Sequence, residues 1–271
     1  MKIKAKKHLG QNFLQAPSIV QRIVKAANLS QEDKVLEIGP GLGILTTQLL
    51  PATKEVLALE LDESLIPTLQ ENLEKELTPE DIKRLTILHQ DALKFDPTTH
   101  KTTSKDYKIV ANIPYYITSP LITHFLTSAN PPKSLTLLVQ KEVAEKICAQ
   151  TPSQPNLKQS ILSIQTQLYA NPHLAFGVPA KHFSPKPRVD SAVIHLEAFE
   201  TPKYKHPERI LQLAKSAYSQ RRKKLSNTLK NFPELTALPE FDNFKDLRPE
   251  HLTLEDWDKL AEQIAPHLTD P

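Results

Sequence analysis

The sequence predicts an α/β fold with a doubly wound, mostly parallel sheet, followed by a small, mainly helical C-terminal domain. Three observations predict it. Short apolar runs alternate with helical periodicities as far as Val139, three of the 5 glycines follow the first apolar run, and the chain is helical from about Pro207. Strands separated by helices in this way pair in parallel, with helices on both faces of the sheet.

The elements follow from the spacing of the apolar residues. A helix is predicted over about residues 17 to 28, where Ile19, Ile23 and Ala27 recur at helical spacing. Strands are predicted at Val35–Ile38, Val56–Leu59, Leu85–Leu88, Ile109–Ala111, Leu135–Val139 and Val193–Leu196. Helices are predicted from Ile44 to Leu50, from Ser64 to Leu77, and at the C-terminus around Trp257, Leu260 and Ile264. A connection near residue 200 divides the chain into domains at 1–200 and 201–271.

The composition excludes several classes of protein. Apolar residues make up 39% of the 271 residues, and no stretch approaches the roughly 18 apolar residues of a membrane span. The single Cys148 excludes a disulfide framework. The basic N-terminus leads into no apolar core, so no secretory signal is predicted. We therefore expect a cytoplasmic protein that does not bind membranes.

Charge is unevenly distributed along the chain. Residues 1–34 hold 7 Lys and Arg against 2 Asp and Glu, and residues 179–230 hold 12 against 4. Residues 231–271 reverse the balance with 3 against 10. Two basic segments around a nearly neutral middle favour a polyanionic partner held near a site. Solvated surface lysines explain the charge alone equally well.

Glycine is concentrated in one place. At a frequency of about 7% the chain would contain roughly 19 glycines, and it contains 5, of which Gly39, Gly41 and Gly43 lie together. They follow a predicted strand, where backbone amides approach ligands in open α/β sheets. Ile44 occupies the third glycine position of the dinucleotide-binding motif, which weakens that interpretation. Glu60 ends the next strand, and its carboxylate suits ribose hydroxyls; a plain turn with a surface glutamate is the alternative.

A second motif, Asn112 to Tyr116, directly follows the fourth predicted strand. The amide oxygen of Asn112 and a carbonyl fixed by Pro114 present two acceptors beside an aromatic face. This arrangement suits a planar group with an exocyclic amine, such as adenine, although an ordinary loop with buried tyrosines would look similar. The 10 histidines show no H-E-x-x-H spacing, so no metal site is expected.

Eight motifs follow one another along residues 6–229. They are KKHLGQNFL (Lys6–Leu14), EIGPGLG (Glu37–Gly43), LELD (Leu59–Asp62), QDAL (Gln90–Leu93), NIPYYIT (Asn112–Thr118), LVQKEVAEKI (Leu138–Ile147), HFSPKPRVDSAV (His182–Val193) and QRRKKLSNTL (Gln220–Leu229). In this order they resemble the KsgA-type ribosomal RNA adenine dimethyltransferases. That family is a branch of the S-adenosyl-L-methionine-dependent methyltransferases with a Rossmann-like, doubly wound fold.

The resemblance implies a role for each matching residue. Gln11, Asn12 and Leu14 would cover S-adenosyl-L-methionine, and Gly39 and Gly41 would contact its methionine part. Glu60 would bind its ribose hydroxyls, and Asp91 would bind its adenine amine. Asn112 would serve both the cofactor and the target, Pro114 would accept from the target amine, and Tyr115 and Phe183 would sandwich the target adenine. The basic residues Lys186, Arg188, Arg221, Arg222 and Lys223 would contact RNA, the last three at the start of a helix.

The implied reaction transfers methyl groups to N6 of two adjacent adenosines near the 3′ end of small-subunit (16S) ribosomal RNA. The implied setting is the assembling 30S particle, with the protein a monomer active in small-subunit biogenesis. Three alternatives stay open: the erythromycin-resistance methylases, which modify large-subunit RNA; a ribosome-assembly or transcription factor without catalysis; and a nicotinamide dehydrogenase. Gly10 within LGQNFL and the motif QRRKKLSNTL favour the small-subunit dimethyltransferases over the resistance methylases, and intact Glu60 and Asn112 argue against lost activity.

The sequence departs from the family pattern in two places. Gln159 and Ser160 occupy positions where the family commonly has Tyr-Gly, and Tyr116 stands where it often has Asn. We expect the first departure to affect local helix packing or an RNA contact. We expect the second to alter the support of the site.

Overall fold

The chain forms two compact units in the computed structural model, which describes residues 5–6, 9–104, 106–149, 159–201 and 203–264. Lys7 and His8 of the first motif and residues 265–271 of the predicted second domain lie outside these ranges. The first unit comprises Met1–Ala144 and Asn171–Ala198, and the second comprises Glu145–Ala170 and Phe199–Pro271.

The two units differ from the two predicted domains mainly in one segment, although both divisions place a boundary near residue 200. Residues 145–170, expected in the first domain, belong to the second unit. The physical reason is the helix within that segment, because its side chains Ile164 and Leu168 are buried in the apolar core of the second unit.

The first unit is built on a twisted sheet. The strands are β1 (Phe13–Leu14), β2 (Lys34–Ile38), β3 (Glu55–Glu60), β4 (Leu85–His89), β5 (Tyr107–Asn112), β6 (Ser134–Gln140), β7 (Ala170–Val178), β8 (Phe183–Ser184) and β9 (Ser191–Ala198). Seven of them form the main sheet in the order β4-β3-β2-β5-β6-β9-β7, while β1 and β8 form a separate antiparallel pair. Strands β2 to β6 are parallel and β9 is antiparallel to β6. The predicted α/β, mostly parallel, doubly wound fold is confirmed.

All six predicted strands are present. The two-residue strands β1 and β8 were not predicted, and neither was β7. It lies at the edge of the main sheet. It contains Pro172 and Gly177, and its stretch from His173 to Ala175 is exposed. An edge strand tolerates proline, and exposure removes the alternation of apolar residues by which strands are recognised.

Helices cover both units. They are α1 (Pro17–Ala26), α2 (Thr46–Leu49), α3 (Ile66–Glu76), α4 (Pro79–Ile82), α5 (Thr118–Leu126), α6 (Lys141–Ile147), α7 (Ile161–Tyr169), α8 (Pro207–Tyr218), α9 (Leu225–Thr228), α10 (Pro233–Thr236) and α11 (Leu254–Ile264). The helix predicted from Ile44 to Leu50 is a single α-helical turn, which becomes a 3₁₀ turn where Pro51 enters the chain. Across the described ranges, no helix is long and apolar enough to cross a membrane.

Each unit has its own apolar core. In the first unit, Ile23 of α1, Val35 of β2 and Val110 of β5 are fully buried in one cluster. Both Val35 and its neighbour Leu36 are buried, because helices cover both faces of a parallel sheet. In the second unit the fully buried Trp257 of α11 belongs to a separate cluster of helical side chains.

Two local features of the second unit bear on the sequence predictions. Ser160 caps α7, because its Oγ accepts from Ser163 N at 3.2 Å while Ser163 Oγ accepts from Ser160 N at 2.7 Å. The departure at this position therefore starts a helix. The segment Arg221–Lys223, predicted to open a helix, instead forms the turn after α8, and the next helix begins at Leu225.

Candidate active site

A cavity in the first unit lies where the parallel strands β2, β3 and β5 end. Its wall contains every residue that the sequence assigned to the cofactor and to the target base. These are Gln11, Asn12, Leu14, Gly39, Gly41, Glu60, Asp91, Asn112, Pro114, Tyr115 and Phe183. Carboxyl ends of neighbouring parallel strands meet at one edge of the sheet, which explains why residues so far apart in the chain line one cavity.

The glycine loop after β2 needs backbone conformations that other residues rarely adopt. Gly39 has a φ of 68° and Gly43 a φ of 93°. A Cβ at Gly39 would have no atom nearer than 3.9 Å, so this side of the loop is open to a ligand. A Cβ at Gly43 would lie 2.9 Å from the Leu69 side chain, so Gly43 allows the loop to pack on α3.

Glu60 ends β3 as a fixed carboxylate. It is 5% exposed, and its two oxygens accept backbone N–H groups, Oε2 from Gly41 at 3.1 Å and Oε1 from Asp62 at 2.8 Å. Burial raises the pKa of Glu60, against the lowering effect of these two hydrogen bonds. Each carboxylate oxygen can accept a further hydrogen bond, as the predicted contact with ribose hydroxyls requires.

Glu37 is a second buried carboxylate in the cavity wall. Its Oε2 accepts from Thr46 Oγ1 at 2.7 Å, while its buried Oε1 has no hydrogen-bond partner among the described residues. Burial, together with the nearby charge of Glu60, raises the pKa of Glu37 to about 8, although the Thr46 bond opposes the shift. A pKa of about 8 keeps Glu37 largely protonated near neutral pH, which accounts for a buried Oε1 without a donor.

Asp91 completes the acidic half of the cavity, a name used here for Glu37, Glu60, Asp91 and the loop Gly39–Gly43. Its Oδ1 accepts from Leu93 N at 3.0 Å, which leaves Oδ2 as the acceptor on the other side of the carboxylate. The carboxylates of Glu60 and Asp91 repel the pyrophosphate of a dinucleotide and attract a cation. S-adenosylmethionine carries a sulfonium and an ammonium group, so the residues present fit this cofactor and disfavour a nicotinamide dehydrogenase.

The aromatic half of the cavity consists of Tyr115, Tyr116 and Phe183 together with Asn112 and Pro114. The Tyr115 hydroxyl lies 2.7 Å from Ser191 Oγ, at the start of β9. Burial raises the pKa of this tyrosine.

Phe183 and Tyr116 line this half in different ways. Phe183 is 4% exposed in β8, whereas Tyr116 is 59% exposed. The Tyr116 ring lies against Gly10, at which a Cβ would be 3.3 Å from the ring. The departure from the family pattern at Tyr116 thus places an exposed aromatic ring on the cavity wall.

Asn112 and Pro114 supply the polar acceptors of the aromatic half. Asn112 is the last residue of β5, and its Nδ2 donates to the carbonyl of Asn12 at 3.5 Å. This orientation leaves the amide Oδ1 as an acceptor on the opposite side. The Pro114 carbonyl accepts from Ile117 N at 3.1 Å and keeps a second lone pair.

The N-terminal segment, residues 9–14, forms one wall of the cavity. Gln11 Nε2 donates to Asp62 Oδ2 at 2.9 Å, and Asn12 Nδ2 donates to the Gly10 carbonyl at 3.0 Å. Leu14 is 5% exposed and pairs with Phe183 across the β1–β8 ladder. These side chains therefore serve to hold the segment itself in place.

The predicted RNA-binding residues lie on the surfaces of both units. Lys186 and Arg188 are exposed between β8 and β9 of the first unit, and Arg221, Arg222 and Lys223 are exposed in the second unit. Their contact with RNA stays a prediction.

Sequence reasoning assigned no role to Glu37, Asp62 or Ser191. Glu37 carried a signal, because it is the one charged residue in the run Val35-Leu36-Glu37-Ile38, whose other members are apolar. Asp62 and Ser191 carried none, since their contacts with Gln11 and Tyr115 join residues 51 and 76 positions apart.

The open, mostly parallel sheet, the glycine loop after β2, the carboxylate that ends β3 and the acidic cavity define a class I S-adenosylmethionine-dependent methyltransferase. The sequence profile of "Ribosomal RNA adenine dimethylase" matches residues 2–246. The chain therefore belongs to the ribosomal RNA adenine dimethylase family, and it is an enzyme, an rRNA adenine dimethyltransferase.

Individual relatives agree with this assignment. A "Ribosomal RNA small subunit methyltransferase A" of Clostridium botulinum (strain Langeland / NCTC 10281 / Type F) is 39% identical over 96% of this chain and 94% of its own length. The structure of a dimethyladenosine transferase from Plasmodium falciparum superposes with a TM-score of 0.75 and 26% identity, covering 94% of this chain and 98% of that one. The 23S rRNA methyltransferase ErmE shares the fold, with a TM-score of 0.71 and 24% identity over 93% of this chain and 99% of that one.

Proposed function

We propose that the protein dimethylates N6 of two adjacent adenosines near the 3′ end of small-subunit ribosomal RNA, with S-adenosylmethionine as the methyl donor. The observation that carries the proposal is the single cavity in which an acidic half meets an aromatic half at Asn112. The small-subunit relative at 39% identity supports this substrate over the large-subunit RNA.

The acidic half is proposed to hold the cofactor. When bound, S-adenosylmethionine supplies a methyl group that its sulfonium sulfur activates for transfer. Glu60 accepts hydrogen bonds from the ribose hydroxyls, and Asp91 accepts one from the adenine amine. The backbone of Gly39 and Gly41 contacts the methionine part. Gln11, Asn12 and Leu14 cover it. Glu37 lies in the same wall, and the positive charge of the cofactor would favour the ionised form of its carboxyl group.

The aromatic half is proposed to hold the target adenine between Tyr115 and Phe183. The N6 amine is a poor nucleophile, because its lone pair is delocalised into the ring. Asn112 Oδ1 and the Pro114 carbonyl accept hydrogen bonds from its two N–H groups. These two hydrogen bonds favour a pyramidal nitrogen whose lone pair points toward the acidic half. Each transfer would break the methyl–sulfur bond of the cofactor, leave S-adenosylhomocysteine, form a bond to N6 and release one N6 proton to water.

Positioning supplies most of the acceleration in this scheme, since reacting atoms held roughly 3 to 3.5 Å apart need little further activation. Neither histidine nor cysteine occurs among the described residues that line the cavity, in keeping with a reaction that needs no strong general base. A base splayed out of single-stranded RNA regains about 1 to 3 kcal/mol by stacking on an aromatic ring.

The RNA is proposed to reach the site within the assembling 30S particle in the cytoplasm, bound by a monomer. Lys186 and Arg188 of the first unit contact the RNA backbone, and so do Arg221, Arg222 and Lys223 of the second unit. The C-terminal domain thus serves as an RNA- and ribosome-binding part, and the enzyme acts in small-subunit biogenesis.

The test incubates labelled S-adenosylmethionine with small ribosomal subunits that lack the modification, with large subunits as the control. Wild type is compared with Asn112→Ala, and the digested RNA is analysed for N6,N6-dimethyladenosine. Label in small-subunit RNA that disappears in the variant is expected. Label confined to large-subunit RNA would assign the protein to the resistance methylases, and tight binding without transfer would make it an assembly factor.

A further inference from the structure

Asp62 lies directly behind the carboxylate that is proposed to bind ribose. It is 4% exposed, and it is not one of the residues that line the cavity. Its backbone N–H donates to Glu60 Oε1 at 2.8 Å. Asp62 therefore fixes one oxygen of Glu60 without facing the ligand space itself.

The side chain of Asp62 binds the chain leading into the N-terminal segment. Its Oδ1 pairs with Lys6 Nζ at 2.7 Å, and its Oδ2 accepts from Gln11 Nε2 at 2.9 Å. Lys6 and Gln11 are also joined to each other, because Lys6 N donates to Gln11 Oε1 at 2.8 Å. Ser64 completes the set with its N–H at 3.1 Å and its hydroxyl, both donating to Oδ1.

This arrangement keeps Asp62 ionised. Burial alone would raise its pKa, but the hydrogen bonds from Lys6, Ser64 and Gln11 and the charge of Lys6 lower the pKa to about 2. The carboxylate is therefore a permanent anchor at neutral pH.

From this anchor the N-terminal segment runs along both halves of the cavity. Gly10 lies against the ring of Tyr116, and the ring of Phe13 lies 3.3 Å from the place of a Cβ at Gly41. At its far end Leu14 pairs with Phe183 in the β1–β8 ladder. The segment is thus held at one end by Asp62 and at the other by the strand that carries the proposed wall of the target pocket.

We propose that Asp62 is a positioning residue whose side chain clamps the N-terminal segment over the cofactor site, and that this clamp determines how tightly the cofactor is retained. The inference rests on the proposed function, because it takes the acidic half as the cofactor site. The Asp62 side chain acts through Lys6 and Gln11, since it does not line the cavity itself.

The test compares Asp62→Ala and Asp62→Asn with Glu63→Gln, which removes an exposed carboxylate one residue away. The probe is S-adenosylhomocysteine, with binding measured by calorimetry. Loss of hydrogen bonds to a charged group predicts affinity about 30-fold weaker for the alanine variant and about 5-fold weaker for the asparagine variant. Glu63→Gln is expected to bind within twofold of wild type.

Two further measurements separate positioning from general stability. Hydrogen exchange of the ligand-free protein should accelerate at the amides of residues 9–14 in Asp62→Ala, with β2 and β5 unchanged. In steady-state assays KM for the cofactor should rise, while kcat at saturating cofactor and KM for RNA stay within about threefold, because the reacting groups themselves are intact.

Three results would overturn the proposal: unchanged affinity in Asp62→Ala, unchanged exchange in the segment, or faster exchange throughout the unit. A Glu60→Ala control separates this failure from failure of the proposed function. If wild type and Glu60→Ala bind S-adenosylhomocysteine equally well, the cofactor site is assigned wrongly. The exchange measurement on ligand-free protein then still decides whether Asp62 holds the segment.

Discussion

The acidic half and the aromatic half of the cavity hold their side chains by different physical means. In the acidic half, directional hydrogen bonds fix the carboxylates, as in Glu60 with its two backbone donors and Glu37 with Thr46. In the aromatic half, Phe183 is held by burial and strand pairing, and Tyr115 by one hydroxyl bond. The difference suits the proposed division, in which one half is preorganised for a small cofactor and the other half receives a base whose place is set by a large RNA.

The largest expected effect tests whether the glycine loop serves the ligand or the fold. Gly43→Ala should destabilise the protein by about 3 kcal/mol, because positive-φ strain adds to overpacking against Leu69 and Leu73. Gly39→Ala, with open space around it, should cost about 1 kcal/mol. Urea unfolding of the ligand-free variants measures both values. Equal losses of unfolding free energy in the two variants would show that Gly39 and Gly43 do not differ in how closely the loop packs around them.

The next prediction isolates stacking in the aromatic half. Phe183→Leu keeps an apolar side chain but removes the ring face, so kcat/KM for RNA should fall about 30-fold, or about 2 kcal/mol. Affinity for S-adenosylhomocysteine should stay within about threefold, since the acidic half is untouched. Phe183→Tyr, which keeps the ring, is the matched control. A comparable loss of cofactor affinity would break the distinction between the two halves.

A third prediction concerns pH and the acidic half alone. The pKa of Glu37 is about 8 in the folded protein and 4.5 in a model side chain, so between these values the folded state binds the extra proton. Stability of the ligand-free protein should therefore fall as pH rises from 6 to 8, by at most about 1.4 kcal/mol per pH unit.

Glu37→Gln removes the titrating group and should flatten this part of the stability profile, as thermal or urea unfolding at several pH values would show. Glu63→Gln should keep the wild-type slope. An unchanged slope in Glu37→Gln would mean that Glu37 is ionised in the folded protein.

The smallest effect belongs to the hydroxyl bond of the aromatic half. Tyr115→Phe should lower kcat about fivefold, or about 1 kcal/mol, because the ring loses its tie to Ser191 but keeps its stacking face. Ser191→Ala should have a similar effect, and the double variant should lose no more than either single variant. Additive losses would show that the two side chains act separately.

Much of this site was predictable because its parts are local. The glycines, Glu60 and Asn112 each stand directly after an apolar strand, and parallel strands bring their carboxyl ends together whatever the details of packing. The anchor Asp62 was not predictable, since its partners Lys6 and Gln11 lie in a segment with no periodic pattern. Strand β7 was not predicted for a related reason. It is exposed at the edge of the sheet, so its sequence lacks the alternation of apolar and polar residues by which strands are recognised.

The direction of one strand has a topological consequence for the whole enzyme. Strand β9 runs antiparallel to β6, with Ser191 beside Gln140 at one end and Glu197 beside Ser134 at the other. A parallel strand delivers to this edge of the sheet the loop that follows it, whereas a reversed strand delivers the loop that precedes it. The reversal therefore brings the stretch before Ser191, with Phe183 and its basic loop, to the edge where the glycine loop lies. A single inverted strand thus allows two distant stretches of sequence, the glycine loop and the stretch around Phe183, to line one opening.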